Sequence, residues 1–158
     1  FGLIFLQNLN SMKNYPFIAL ALLFLFTGTS CSLEERLERR EERIIGTWAF
    51  DNARFRRDGA VFGQNVFDDF RGDRMIFFED FTVEYDDANG DLFFGVWEMT
   101  AVRDDDDTEF LIDLDFFEAN GTPAFTWLGT INRLTRRDFN MDVDERNGRF
   151  RFRLDRVE

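Results

Sequence analysis

Three stretches of this chain alternate apolar and charged residues with a period of two, and that periodicity narrows the fold more than any other feature. Phe150, Phe152 and Leu154 alternate with Arg149, Arg151, Arg153 and Asp155; Phe110, Ile112, Leu114 and Phe116 stand against Glu109, Asp113 and Asp115; Phe139, Met141 and Val143 repeat the pattern. Successive side chains of a strand point to opposite faces, so each stretch reads as a strand with one face in a core and one in water. Further segments bring the total to eight, at roughly 44–54, 73–79, 81–87, 91–101, 108–117, 123–134, 138–144 and 149–157. Asn89-Gly90, Asn120-Gly121 and Asn147-Gly148 are preferred dipeptides of tight hairpins, and the acidic run Asp104 to Asp107 marks another reversal. Neighbours in sequence are therefore expected to be neighbours in the sheet.

An antiparallel meander with one wet face has two exposed edges unless it closes, and eight strands close around side chains or one small ligand. The expected fold is all-β, an eight-stranded antiparallel up-and-down barrel, with an open, strongly bent sheet as the alternative. Alternation turns inward Trp48, Phe50, Ile76, Phe78, Phe81, Val83, Tyr85, Phe93, Trp97, Met99, Phe110, Ile112, Leu114, Phe116, Phe125, Trp127, Ile131, Phe139, Met141, Phe150, Phe152 and Leu154. Seventeen phenylalanines in residues 44–158 favour a filled interior, whereas inward glycines such as Gly95 and Gly129 leave gaps opposite them. A lined cavity and a packed core need the same residues, so composition does not separate them.

The first strand carries Gly46-Thr47-Trp48, in which Gly46 lets another backbone approach and Trp48 buries a large ring whose N–H needs a partner. A second Gly95-Val96-Trp97-Glu98 follows, and Gly129-Thr130-Ile131-Asn132-Arg133-Leu134-Thr135 precedes Asp138-Phe139-Asn140-Met141. Together these motifs resemble the lipocalin-like domains of bacterial lipoproteins over most of residues 44–158. The resemblance implies an arginine from the end of the last strand stacked on the motif tryptophan. Parity selects Arg156, which shares a face with Phe150, Phe152 and Leu154, so Gly46, Trp48 and Arg156 are the expected closure residues. The chain departs from the pattern between Arg56 and Gly72, where a long connection reads either as a lid loop or as a short extra strand.

Upstream, the charge pattern changes. Residues 1–11 precede Met12 and are expected to lie upstream of the true start. Residues 12–30 read as a signal peptide: Lys13 is the positive n-region, Phe17 to Phe26 the apolar run, and Thr27-Gly28-Thr29-Ser30 the small residues before Cys31. The run falls short of the about 20 residues that a spanning helix needs. It resembles a lipobox, although Gly28 stands where the family carries an aliphatic residue, and implies that Cys31 is acylated and becomes the mature N-terminus. Residues 31–43 are expected to be a charged helical tether, polar nearly all round, with only Leu33, Leu37 and Ile44 as a thin apolar stripe. Residues 44–158 are the barrel domain.

Several functional classes are disfavoured by residue type. From Cys31 onward 18 Arg face 31 Asp and Glu, and a surface that negative repels nucleic acid. Histidine is absent and Cys31 is the only cysteine, which removes a His general base, a Cys–His nucleophile and the usual zinc sites. The spacing of Asp87, Asn89 and Asp91 does not fit a calcium loop, because Leu92 follows where glycine is required. No cofactor or metal is implied. The expected function is non-catalytic binding of a small apolar or amphipathic molecule in the bacterial cell envelope, at the outer membrane with the leaflet unassigned. Its candidate lining is Phe50, Asn52, Phe78, Tyr85, Phe93, Trp97, Phe116, Trp127 and Arg133. The alternative is a filled barrel that docks an envelope protein, and a carboxylate-based hydrolase comes third. The partners are accordingly the membrane through its lipid anchor, a small apolar ligand or an envelope protein, and not nucleic acid.

Overall fold

The computed structural model describes residues 32–104 and 107–157; the signal-like segment and Cys31 lie outside the described residues. A helix, α1 (Leu33–Ile44), leads into nine strands: β1 (Gly46–Arg57), β2 (Gln64–Asn65), β3 (Arg74–Phe77), β4 (Thr82–Asp86), β5 (Leu92–Asp104), β6 (Asp107–Phe117), β7 (Pro123–Leu134), β8 (Asp138–Glu145) and β9 (Gly148–Arg156). A 3-10 turn, Phe67–Phe70, separates β2 from β3. All pairings are antiparallel and sequential from β3 to β9, and β9 returns to β1 with Trp48 opposite Arg156 and Phe50 opposite Leu154. Eight strands, β1 and β3 to β9, thus close an up-and-down barrel, and the two-residue β2 continues the edge of β1 beyond the reach of β3. Closure removes both free edges of the meander.

The barrel interior is apolar, as alternation predicts, but the inward face of β3 is the opposite of the expected one. Met75 and Phe77 are buried, while Ile76 is half-buried and Phe78 is exposed. Residues 75–78 are all apolar, so their own pattern has no phase; the phase comes from β1, where Trp48 pairs with Met75. Directly opposed residues of an antiparallel pair share a face, and an inward Trp48 takes Met75 inward with it. Phe81 is also outside the barrel. It has φ of 64° in the turn after β3, and its half-exposed ring lies 4.9 Å from that of Trp97. Two bulges change parity again, one between Phe50 and Asn52 and one between Ile131 and Arg133. Each inserts one unpaired residue, so Ala53 and Leu134 are buried and their neighbours Asn52 and Arg133 turn out. Neither expected glycine gap is present: a Cβ at Gly95 would meet the Asp115 carbonyl, Val83 and Phe116, and one at Gly129 would meet Ile112 and Val143.

The charged helix is more than a tether. Ile44 is fully buried and Leu37 packs on the core, so the thin stripe covers the barrel end where β1 begins. The Arg40 guanidinium lies 3.9 Å from the centre of the Phe110 ring, and Arg36 donates to Thr108 Oγ1 at 3.0 Å. Polar helical residues reach the barrel here through cation–π contacts and aliphatic stems, an attachment that hydrophobic periodicity does not register.

The outer face also holds one buried charge. Asp142 is 7% exposed on β8, and Arg151 of β9, directly across the ladder, donates to both of its carboxylate oxygens at 2.8 Å. That hydrogen bond raises the Arg151 pKa above its usual value. By alternation alone Arg151 is an ordinary wet-face arginine with a negligible contribution. Its removal instead leaves a buried carboxylate unpaired, so Arg151→Ala is expected to cost about 1–2 kcal/mol in chemical denaturation, with the pair's partial exposure keeping the figure low. A cost under about 0.5 kcal/mol, normal for surface substitutions, would show that solvent replaces the guanidinium.

Candidate functional site

The two ends of the barrel differ. At the α1 end, Trp48 is fully buried and its indole N–H donates to the Ile44 carbonyl at 2.6 Å. Arg156 lies with its guanidinium 4.5 Å from the centre of the Trp48 ring and donates to the carbonyls of Ile45, at 2.9 Å, and Arg43. Gly46 is required twice: its φ is 128°, and a Cβ there would sit 2.5 Å from Arg156 Nη1. The three expected closure residues are therefore one unit that locks the last strand to the first and caps the helix carbonyls. This end is shut.

The other end is a bowl of aromatic rings. Tyr85 of β4 is its hub, with ring centres of Phe50, Phe93, Phe116, Phe125 and Trp127 at 5.6–6.1 Å. The Phe125 ring lies tilted at 4.7 Å from that of Phe116, and Trp127 lies 5.2 Å from Phe152. Phe93, Phe125 and Phe150 are only half-buried and form the rim. Strand alternation puts these residues on one face, and the register of β4, β5, β6 and β7 brings them to one level: Tyr85 is opposite Phe93, and Phe116 opposite Phe125.

Five expected lining residues converge in this bowl: Phe50, Tyr85, Phe93, Phe116 and Trp127. The other four do not. Asn52 and Arg133 are turned to the outer face by the two bulges, and Arg133 pairs with Asp138 at 3.3 Å. Phe78 is outside because the β3 face is reversed. Trp97 is buried near the opposite end, against Phe77 and Phe81, with its indole N–H donating to the Phe78 carbonyl at 3.2 Å.

Two components of the bowl are not legible in the strand pattern. The connection between Arg57 and Arg74 contains the short extra strand, β2, and then the 3-10 turn, whose Phe70 ring enters the mouth. It stacks on Phe50 at 5.5 Å and meets Phe152 at 4.9 Å and Phe150 at 5.8 Å. The turn is held by Val66 N–H donating to the Ala53 carbonyl at 3.0 Å. Next to it Asp73, 2% exposed, accepts hydrogen bonds from the Tyr85 hydroxyl and from the Ala88 N–H, the latter at 3.0 Å. Burial, and then the hydrogen bond that its hydroxyl donates to the Asp73 carboxylate, raise the Tyr85 pKa well above the usual tyrosine value. The bowl thus has one polar group at its base, fixed as a neutral phenol.

Two concavities open elsewhere. A groove of about 340 Å³ on the outer face of β5 and β6 is lined by Phe81, Val96, Trp97, Glu98, Asp113 and Asp115. Burial, then repulsion from Asp115 and Glu98, raise the Asp113 pKa. A second, of about 470 Å³, lies at the α1 end between Arg39, Glu42, Arg43, Arg136 and Arg156. No family model, curated protein or solved structure matches the chain.

Proposed function

We propose that the protein is a lipid-anchored, lipocalin-like binding module of the bacterial cell envelope, held at the outer membrane through Cys31. It acts without catalysis and takes a small apolar or amphipathic molecule at its aromatic mouth. The observation that carries this reading is the convergence of aromatic rings around Tyr85 with half-buried Phe93, Phe125 and Phe150 at the rim, joined by a single ring, Phe70, that arrives on a connection and packs on Phe50, Phe150 and Phe152. A bowl of apolar walls with one oriented polar group is the usual composition of a small-molecule site. Phe70 occupies the place a ligand ring would take, so ligand entry displaces it. The signal-like run ending in Cys31 supports the anchor.

A specific observation favours a second reading, a barrel that docks a basic, apolar segment of an envelope protein. The outer groove sets half-exposed Phe81 and Val96 beside Glu98, Asp113 and Asp115, whose charge complements such a segment. One experiment separates the two. Binding of N-phenyl-1-naphthylamine, an apolar dye, is measured by fluorescence with the wild-type chain and with Phe70→Ala, both checked for folding by circular dichroism. The mouth reading expects saturable binding that tightens severalfold when Phe70 is removed. A dye that binds neither folded protein would refute it and leave the docking reading. When the chain is expressed in a Gram-negative bacterium, Cys31→Ser is expected to move it from the membrane to the soluble envelope fraction, and retention on the membrane would refute the anchor.

A further inference from the structure

The concavity at the α1 end gathers positive charge in a protein whose formal charge is −12. Arg39 and Arg43 come from the last turns of α1, Arg136 from the β7–β8 turn and Arg156 from the end of β9; Glu42 is the single carboxylate among them. Five arginines elsewhere in the domain have carboxylate partners: Arg71 with Asp68, Arg133 with Asp138, Arg149 with Asp144, Arg151 with Asp142 and Arg153 with Asp51. Among the described residues Arg43 and Arg136 have no such partner. Arg36 and Arg43 also act on Arg40, which burial first and then these like charges shift to a lower pKa. In a chain with an excess of carboxylates, the guanidinium groups of Arg43 and Arg136 border one space of about 470 Å³ together with Arg39 and Arg156.

The site is built in advance of any ligand. Arg156 is fixed by the Ile45 and Arg43 carbonyls, and those two bonds, with the one from the Trp48 indole to Ile44, cap carbonyls at the helix end that would otherwise repel an anion. Arg136 sits in a stiff turn: Thr135 Oγ1 accepts from Arg137 N–H at 3.2 Å and Asp138 N–H at 2.9 Å, and Arg156 N–H donates to the Arg137 carbonyl at 3.0 Å. The turn and the end of β9 therefore move as one. Planar guanidinium forks match the oxygens of phosphate in bidentate fashion, and those of Arg43 and Arg136, with Arg39 and Arg156 adding positive charge against the one carboxylate of Glu42, suit a dianion better than a single carboxylate ligand. The volume exceeds that of one tetrahedral anion and leaves room for what the phosphate is attached to.

We propose that the concavity between α1, the β7–β8 turn and the end of β9 binds a phosphoryl dianion, either free phosphate or the phosphomonoester of a lipid headgroup. This is independent of the aromatic mouth at the other end of the barrel. The test is calorimetric titration of the full chain with inorganic phosphate, first in uncharged maltoside micelles at an ionic strength held constant with sodium chloride. Saturable binding is expected, weakened about tenfold by Arg43→Ala and by Arg136→Ala, each removing one charge-assisted contact, and strengthened severalfold by Glu42→Gln. These side chains are exposed, and unchanged thermal melting confirms that the variants fold. The titration is then repeated with the chain in phosphatidylcholine vesicles containing phosphatidic acid or, as a control for surface charge, phosphatidylserine. Competition by phosphatidic acid alone identifies the headgroup as the source, and equal affinity in both identifies the free anion. No heat beyond that of chloride in any arm, or binding undiminished in the Arg43→Ala, Arg136→Ala double variant, would overturn the proposal.

Discussion

Arg156→Ala is expected to destabilise the barrel by about 3 kcal/mol, the largest effect of any single arginine in the domain. The guanidinium over Trp48 contributes about 0.5–2 kcal/mol. Each charged hydrogen bond to a carbonyl, here those of Ile45 and Arg43, is worth about 1.5–3 kcal/mol before overlap between them is counted. The total is set below the sum because the three contacts share one group and the site is partly exposed. Arg156→Lys restores a charge but not the fork that reaches two carbonyls, so it should recover less than half of the loss. Arg54→Ala, exposed in the middle of the β1–β9 seam, is the control and should change stability by no more than about 0.5 kcal/mol. Urea unfolding of the three variants measures all of this. Equal costs for Arg156→Ala and Arg54→Ala would show that the β1–β9 ladder closes the barrel without help from the cap.

The second large effect is expected at alkaline pH. Residues 32–157 contain no lysine, histidine or cysteine, so Tyr85 is the only side chain there that titrates between the carboxylates and the arginines. In the unfolded chain its pKa is about 10, and in the folded chain burial and the Asp73 carboxylate raise it. The folded state then holds the phenolic proton more tightly than the unfolded state. Stability from this group is fully present below pH about 10 and is lost as pH rises beyond it, at about 1.4 kcal/mol per pH unit for one proton. Two units above the unfolded value therefore remove roughly 2–3 kcal/mol. Tyr85→Phe should flatten that alkaline limb while costing about 1–3 kcal/mol at neutral pH, where Asp73 loses a partner and remains buried. If the wild-type and Tyr85→Phe stability curves run parallel between pH 9 and 12, roughly the span in which an ordinary tyrosine titrates, the Tyr85–Asp73 bond is not maintained in solution.

Chemistry on the two barrel ends divides along the same line as those predictions. The closure unit of Gly46, Trp48 and Arg156 was readable because the lipocalin-like resemblance implies an arginine over the motif tryptophan and parity along the last strand selects Arg156. The aromatic mouth was readable in part, since Phe50, Tyr85, Phe93, Phe116 and Trp127 follow from alternation within single strands. Phe70 was not. It lies on a connection with no period, and its place against Phe50 and Phe152 follows from how that connection folds back on β1. Asn52 and Arg133 were misplaced for a related reason: a bulge adds one residue, and nothing in the local pattern marks where the extra residue will be accommodated.

The sequence by itself determined the eight barrel strands, their order and the tight turns, because alternation and turn chemistry act between residues a few positions apart; closure was the expectation from strand count, and the ladder that makes it joins the first strand to the last. Only the tertiary structure decided the inward face of the apolar run Met75-Ile76-Phe77-Phe78, which takes its phase from Trp48 across the ladder. It also decided that α1, polar nearly all round, packs Ile44 and Leu37 on the core and Arg40 on Phe110. Asp73 and Asp142 are two further cases: each is an ordinary acidic residue in sequence, and each is buried because a partner from another strand, Tyr85 or Arg151, supplies the hydrogen bonds that burial requires. Short-range patterns carry the information for secondary structure, whereas burial of a charge or the phase of an apolar run depends on what lies opposite, and that is known only once the strands have paired.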